Sequence, residues 1–215
     1  MKPVTAYQKT IKRGRPADPA LQHQRKQDLL DAAFELLRHK SYRGITIRDL
    51  ADAAGTQSAM IKYYFGDKQG LFLALLERLA TQQLSAFQAV LSAPDPIKAF
   101  IATSLEFFAQ NPPVIRLLID EVLSGDSQLQ QAFIELMPKR MARLLPQLID
   151  AQQQAGRLRQ DLDPKWAAFS LISLTLTPFM LAPVREQAWN ISNDEVSSSR
   201  WVGHIYRLFI EGVRA

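Results

Sequence analysis

The chain has 215 residues, 47% of them hydrophobic, and a net charge of +5, which suits one large or two small folded domains with a buried core. It contains no cysteine, which excludes disulfides and thiolate metal sites. The N-terminal stretch MKPVTAYQKTIKRGRP lacks the apolar run of a signal peptide, and the most apolar later segment, WAAFSLISLTLTPFMLAPV, carries Ser, Thr and two Pro as a buried helix does, so a cytoplasmic protein without a membrane partner is expected.

The charge is concentrated at one end. Residues 1–26 hold Lys2, Lys9, Lys12, Arg13, Arg15, Arg25 and Lys26 against Asp18 alone, a balance of +6 that leaves −1 for the rest. Such an arm suits nucleic acid or an anionic membrane, and the plainer alternative is a solvated tail. Within it, Arg13-Gly14-Arg15-Pro16 matches the core of an AT-hook. There an extended backbone lies in a narrow minor groove and guanidinium groups follow it in. Proline also disfavours helix at Arg15.

Nearly every later segment reads as helix. HQRKQDLLDAAFELLRHK sets Leu29, Leu30, Ala33, Phe34 and Leu37 on one stripe at spacings of three and four. In TIRDLADAAG, Thr46 is the expected N-cap and Asp49 the acidic member of a capping box, Ile47, Leu50, Ala51 and Ala54 form the buried stripe, and Gly55 supplies a left-handed turn. A third short helix follows, from about Gln57 to Phe65. Two short helices hinged at a glycine and preceded by a longer one make a helix-turn-helix. With Ile61 and Phe65 turned inward, Ala59, Met60, Lys62 and Tyr63 point outward, where a small residue, a thymine-methyl contact and polar reach suit a DNA groove. Tyr64 lies near the core edge of the wheel, and packing and phosphate contact are both open to it.

This stretch resembles a known family. The pattern ILDAA…F…G…T…IA…AGVS…LYYHF..K…L belongs to the N-terminal domain of TetR/AcrR-type repressors, and this chain reads LLDAAFELLRHKSYRGITIRDLADAAGTQSAMIKYYFGDKQGL. The likeness covers about Gln24 to Leu76, including the step from Phe65 to Lys68. It implies an all-α homodimer on a pseudo-palindromic operator, with an N-terminal three-helix DNA-binding domain and a C-terminal helical domain for dimerisation and a small-molecule effector. Carried over by position, it puts Arg48 near bases or phosphate, Gln57, Ser58, Ala59, Met60 and Lys62 in the major groove, Tyr63 and Tyr64 on the backbone, and Lys68 on a phosphate. Thr56-Gln57 stands where Val-Ser is commoner, so the cap of the third helix falls to Thr56 or Ser58. Ser41 replaces a frequent glycine, and Met60 and Lys62 replace Thr and Tyr on the reading face, so the operator sequence does not carry over from relatives.

Beyond Lys68, KQGLFLALLERLATQQLSAFQAVLS continues as a long connecting helix with Leu71, Leu75, Leu79 and Phe87 inward, and APDP ends it. Further helices are DPIKAFIATSLEFFAQ, PPVIRLLIDEVLSG, and SQLQQAFIELMPKRMARLLPQLIDAQQQAG, which Pro138 and Pro146 kink or divide. Asp163-Pro164 opens a segment running to about Ala182 with Pro178 disturbing its end, REQAWNISND reads as a polar loop, and a last helix carries Trp201, Ile205, Leu208 and Phe209. The divisions expected are residues 1–20 as arm, 21–68 as DNA-binding domain and 69–215 as effector and dimer domain.

The last two helices hold more apolar surface than a peripheral pair needs. The resemblance makes Phe169, Ile172, Leu176, Trp201, Ile205, Leu208 and Phe209 the dimer face, and ordinary core is the alternative for about half of them. Candidates for an effector pocket are Phe107, Phe108, Phe133, Met137, Met141 and Phe179, any of which also serves as plain core. Arg116, Asp120 and Glu121 interrupt an apolar helix. Arg116–Asp120 reads as a one-turn surface pair, or as ligand contacts if the side chains face inward. No catalytic, cofactor or metal set is expected, since His23, His39 and His204 are scattered and no glycine-rich phosphate loop is present. The runner-up to an effector-controlled regulator is a DNA-binding adaptor without a ligand cavity.

Overall fold

Aspartate and proline write many of the helix starts. The computed structural model describes residues 19–122 and 128–213, and the regular elements among them are all helices. In chain order they are α1 (Pro19–Leu37), α2 (Ile47–Ala53), α3 (Ser58–Phe65), α4 (Lys68–Leu91), α5 (Pro96–Gln110), α6 (Pro112–Leu117), α7 (Gln128–Leu136), α8 (Pro138–Gln154), α9 (Pro164–Met180), α10 (Ala182–Trp189), α11 (Asn193–Val196) and α12 (Ser199–Val213). Asp67, Asp95 and Asp163 cap α4, α5 and α9 by accepting from first-turn N–H groups, and Pro96 and Pro164 follow two of them with φ already suited to helix. The 24 residues of α4 span about 36 Å and join the N-terminal helices to the rest.

Where the helices break, the cause is visible. Pro138 ends α7 and starts α8, whereas Pro146 and Pro178 are carried inside α8 and α9. α6 is shorter than the apolar run suggests and continues as a π turn, Leu118–Val122. The stretch REQAWNISND, expected as a polar loop, instead supplies the end of α10 and the start of α11. Asn190 closes α10 in the left-handed conformation at φ 53°, and Ser192 opens α11 through a capping box with Glu195. Arg185 organises this corner from within. It is buried, and its guanidinium donates to the carbonyls of Pro178 and Ile191 and to Asn193 Oδ1 at 3.0, 2.6 and 2.6 Å.

Two hydrophobic cores result. The first gathers Leu29, Leu37, Ile45, Leu50, Ile61, Leu71, Phe72 and Leu75 from α1–α4 and continues into Val114, Leu117, Phe133 and Met137 of α6 and α7. The second joins Phe87, Phe100, Ile101, Leu105, Met141, Ile149 and Leu171 to Ile205 and Phe209 of α12. Two expectations change here. Ile47 belongs to no core and is exposed, because it opens α2 on the outer side of its first turn. Ile205 and Phe209, expected in the dimer face, are buried within the chain itself: Ile205 is only 3% exposed, since α12 turns that stripe onto α5.

Candidate nucleic-acid interface and ligand cavity

The turn before α3 is built from backbone hydrogen bonds. Gly55 takes φ 60°, and the N–H groups of Ala54, Gly55 and Thr56 donate back to Leu50, Asp52 and Ala51. Thr46 and Asp49 form the expected box, with Thr46 Oγ1 accepting from Asp49 N at 3.0 Å and Asp49 Oδ2 accepting from Thr46 N at 2.8 Å. The Thr46 N–H, the Lys40 ammonium and the Thr46 hydroxyl together hold the Asp49 carboxyl down at about 2. The cap of α3 falls to neither Thr56 nor Ser58. Gln57 occupies it and offers no side-chain hydrogen bond, so the first turn of α3 presents N–H groups that can meet a phosphate.

From that helix Ile61 points inward at 0% exposure, and Phe65 is half-buried against the first core. Gln57, Ser58, Ala59, Lys62 and Tyr63 are exposed, Tyr63 by 67%, and Met60 is half-buried beside them. Tyr64 packs against the first core with the Lys26 ammonium 5.9 Å from its ring centre, which favours the packing role over a phosphate contact. Arg48 is held by a 3.6 Å pair to Asp52, both mostly exposed, a contact weak enough to yield to a phosphate. Lys68 departs from expectation. Its ammonium donates to the carbonyls of Tyr42 and Ile45, both at 2.6 Å, and lies 4.3 Å from the Tyr42 ring centre. In the free chain it closes the α1–α2 turn. Burial lowers its pKa, and the Glu121 and Asp49 carboxylates pull it partly back. Gly70, which sequence reasoning passed over, lets α4 start tight under α3, where a Cβ would stand 2.0 Å from the Phe65 carbonyl oxygen. Arg13 and Arg15 lie outside the described residues.

The C-terminal helices enclose a cavity of about 520 Å³. Of the residues expected around a pocket, Phe108, Phe133, Met137 and Met141 line it. Phe179 stands behind, its ring centre 5.9 Å from that of Phe108. Phe107 faces elsewhere, into a cleft against α1 and α4 beside Asp31 and Arg78. Arg116 and Asp120 are not in the cavity either. They pair with each other at 3.7 Å, and Arg116 Nη1 donates to the Arg38 carbonyl just past the end of α1. The wall nearest the N-terminal helices is α6, through Val114, Ile115 and Leu118. At its far end the carboxylate of Glu121, 3% exposed, accepts from Arg43 Nε at 3.2 Å in the α1–α2 turn.

On the remaining side, α9 does two jobs. Ile172 and Leu176, expected in the dimer face, line the cavity, and Phe169 forms part of its rim while staying 74% exposed. Trp166 is exposed beside it, Leu208 is exposed on α12, and Trp201 is half-buried against the second core. Among the described residues no single helix is long and apolar enough to cross a membrane, and α9 and α10 reach that length only together, across a 73° bend.

Comparison with known proteins agrees with this geometry at both ends of the chain. Residues 29–75 match the model described as "Bacterial regulatory proteins, tetR family", and residues 97–202 match "AefR-like transcriptional repressor, C-terminal domain". The HTH-type transcriptional regulator RutR of Escherichia coli K12 is 26% identical over 194 residues, covering 88% of this chain and 91% of its own. Among solved structures, the fatty acid degradation regulator FadR of Bacillus halodurans superposes with a TM-score of 0.71 at 17% identity, over 92% of this chain and 98% of that one. FadR of Bacillus subtilis in complex with stearoyl-CoA also gives 0.71, at 15% identity, over 87% of this chain and 99% of that one. At such identities the structural likeness concerns the fold.

Proposed function

Because the chain belongs to the tetR family of bacterial regulatory proteins, we propose that it is a sequence-specific DNA-binding transcriptional repressor. It works as a homodimer in the cytoplasm, and a small, largely apolar molecule in the C-terminal cavity releases it from a two-fold operator. Residues 21–68 form the DNA-binding domain and 69–215 the regulatory one. The basic arm of residues 1–20 adds Arg13 and Arg15 in an adjacent minor groove. Gln57, Ser58, Ala59, Met60, Lys62 and Tyr63 meet the major groove, and Arg48 meets the backbone. The protein acts by binding, not by catalysis.

One observation carries this reading: a single short helix serves both sites. α6 turns Val114 and Ile115 into the cavity, and from the same helix and its π turn Arg116 and Glu121 grip Arg38 and Arg43 of the DNA-binding domain. A ligand that pushes on Ile115 and Leu118 therefore acts on the seat of α1 and on the turn leading to α2. A coupling of about 1–3 kcal/mol suffices for a roughly 5- to 150-fold change in operator affinity, and by linkage the ligand binds the DNA-bound protein more weakly by the same factor. The adaptor reading is disfavoured by the cavity itself, whose 520 Å³ lies within the range of ligand sites. A dimer is supported by the exposed Trp166, Phe169 and Leu208 and by the need for two recognition helices on a two-fold site.

The test begins with mapping genomic binding sites and titrating the recovered duplex with and without candidate ligands. A Glu121→Gln chain is expected to keep ligand affinity and ligand-free operator affinity near native while the ligand's effect on DNA shrinks. Full release by ligand in that variant overturns the α6 route, and failure to recover any discrete duplex overturns the repressor reading.

A further inference from the structure

The chemistry of the effector can be taken further, resting on the reading of the cavity as an effector site. Its depth is apolar: Phe108, Phe133, Met137 and Met141 are all buried, with Ala168 closing the side toward α9. Its charged lining, among the described residues, is Lys139 and Lys165, without a single carboxylate, and Gln83 is the other polar side chain. Lys139 stands in the first turn of α8 and Lys165 in the first turn of α9, both exposed at the edge of the cavity with Ala142 and Phe169. Lys139 pairs with Glu135 one turn away, on a surface where water screens the contact. Residues after Lys26 carry a net charge of −1, so an opening with two lysines, where Glu135 stands beside Lys139, is a local departure from the chain's own balance.

These features select a kind of molecule. A cation at the mouth meets two like charges, a neutral apolar molecule leaves Lys139 to Glu135 and Lys165 to water, and an anion with an apolar body satisfies depth and rim together. We propose that the effector is an amphipathic anion, its apolar body held between Phe108, Phe133 and Met141 and its carboxylate or phosphate-ester head at the rim with Lys139 and Lys165.

The experiment uses the full chain and a set of probes: octanoate, decanoate, decanamide, decylamine and decanoyl coenzyme A, each titrated calorimetrically at low and high salt. Affinity is expected to rise about fourfold per added methylene until the space is filled. Decanoate is expected to bind up to about tenfold more tightly than decanamide at low salt, with the gap narrowing at high salt, and decylamine is expected to bind least. A chain carrying both Lys139→Gln and Lys165→Gln is expected to lose the preference for decanoate over decanamide while keeping its affinity for decanamide and for operator DNA. Tight binding of the coenzyme A thioester with weak binding of decanoate also supports the proposal and assigns the head to phosphate. Equal binding of decanoate and decanamide, unchanged by the double substitution, overturns the anionic class and leaves the effector site standing. If no probe of any charge binds the native chain, the effector-site reading itself falls.

Discussion

The two ends of this molecule are built by opposite means. Around α2 and α3 each bend is set by a short-range device: a capping box at Thr46 and Asp49, a left-handed Gly55, and a lysine that closes the α1–α2 turn through two carbonyls. The result is a core with Ile61 and Leu50 at 0% exposure and an exposed face of α3 held outside it. Around α6–α9 prolines interrupt the helices, α6 relaxes into a π turn, and the interior keeps a cavity of about 520 Å³. A rigid end suits recognition, where a small displacement of α3 loses contacts. A gapped end suits reception, because closing a void around a ligand is a change that packed helices can transmit.

Substitutions can break or sharpen that contrast, and the largest effect is expected where the gapped end is nevertheless packed. Ile205→Asp places an unpaired charge in the second core and is expected to cost about 3–5 kcal/mol, seen as loss of cooperative thermal and denaturant unfolding. Trp166→Asp and Leu208→Asp, on the exposed faces of α9 and α12, are expected to leave the fold intact and shift sedimentation from dimer to monomer. A folded dimer in both surface variants places the interface elsewhere, and native-like cooperative unfolding of Ile205→Asp removes Ile205 from the core.

Next come the reading residues. Lys62→Ala and Tyr63→Ala are each expected to weaken operator binding by about 1–3 kcal/mol with no change in melting temperature. Unchanged affinity in both removes α3 from the groove. If they also lower the melting temperature, the face is packed and the contrast between the two ends fails.

The smallest effects test the capping box. Thr46→Ala is expected to cost about 1 kcal/mol in denaturant unfolding. Asp49 adds a pH signature. Its folded pKa, about 2, lies below the ordinary 3.8, so its stabilising contribution is complete above about pH 4, declines as pH falls from 3.8, and is gone below about 2. In Thr46→Ala, which loses the hydroxyl's share of that depression, the acid-side decline is expected to be shallower. An identical pH profile for native and Thr46→Ala chains shows that the threonine hydroxyl has no part in setting the carboxyl's pKa.

How much of this was legible in advance divides along the same line. Thr46, Asp49, Gly55 and the Asp163-Pro164 start act within three or four residues, so local spacing reveals them. The outward stripe of α3 follows from helical period once Ile61 is inward, and all-helical architecture follows from the apolar spacing along the chain. Helical period marks Ile205 and Phe209 as one apolar stripe of α12, but that the stripe meets the chain's own core does not follow from it, because only contact with α5 decides what covers it. The carbonyl partners of Lys68, at Tyr42 and Ile45, were not legible, since they lie more than twenty residues away and are backbone atoms that no side-chain pattern marks. Arg185 escaped for the same reason, and with it the helical corner of α10 and α11. The chain's sequence thus determined most of its helices, the turn before α3 and the outward stripe of α3, whose signals are local and periodic. The cavity, the Glu121–Arg43 link and the division of α9 between rim and exposed face were decided by tertiary packing, since a void or a long-range ion pair exists only once distant helices meet.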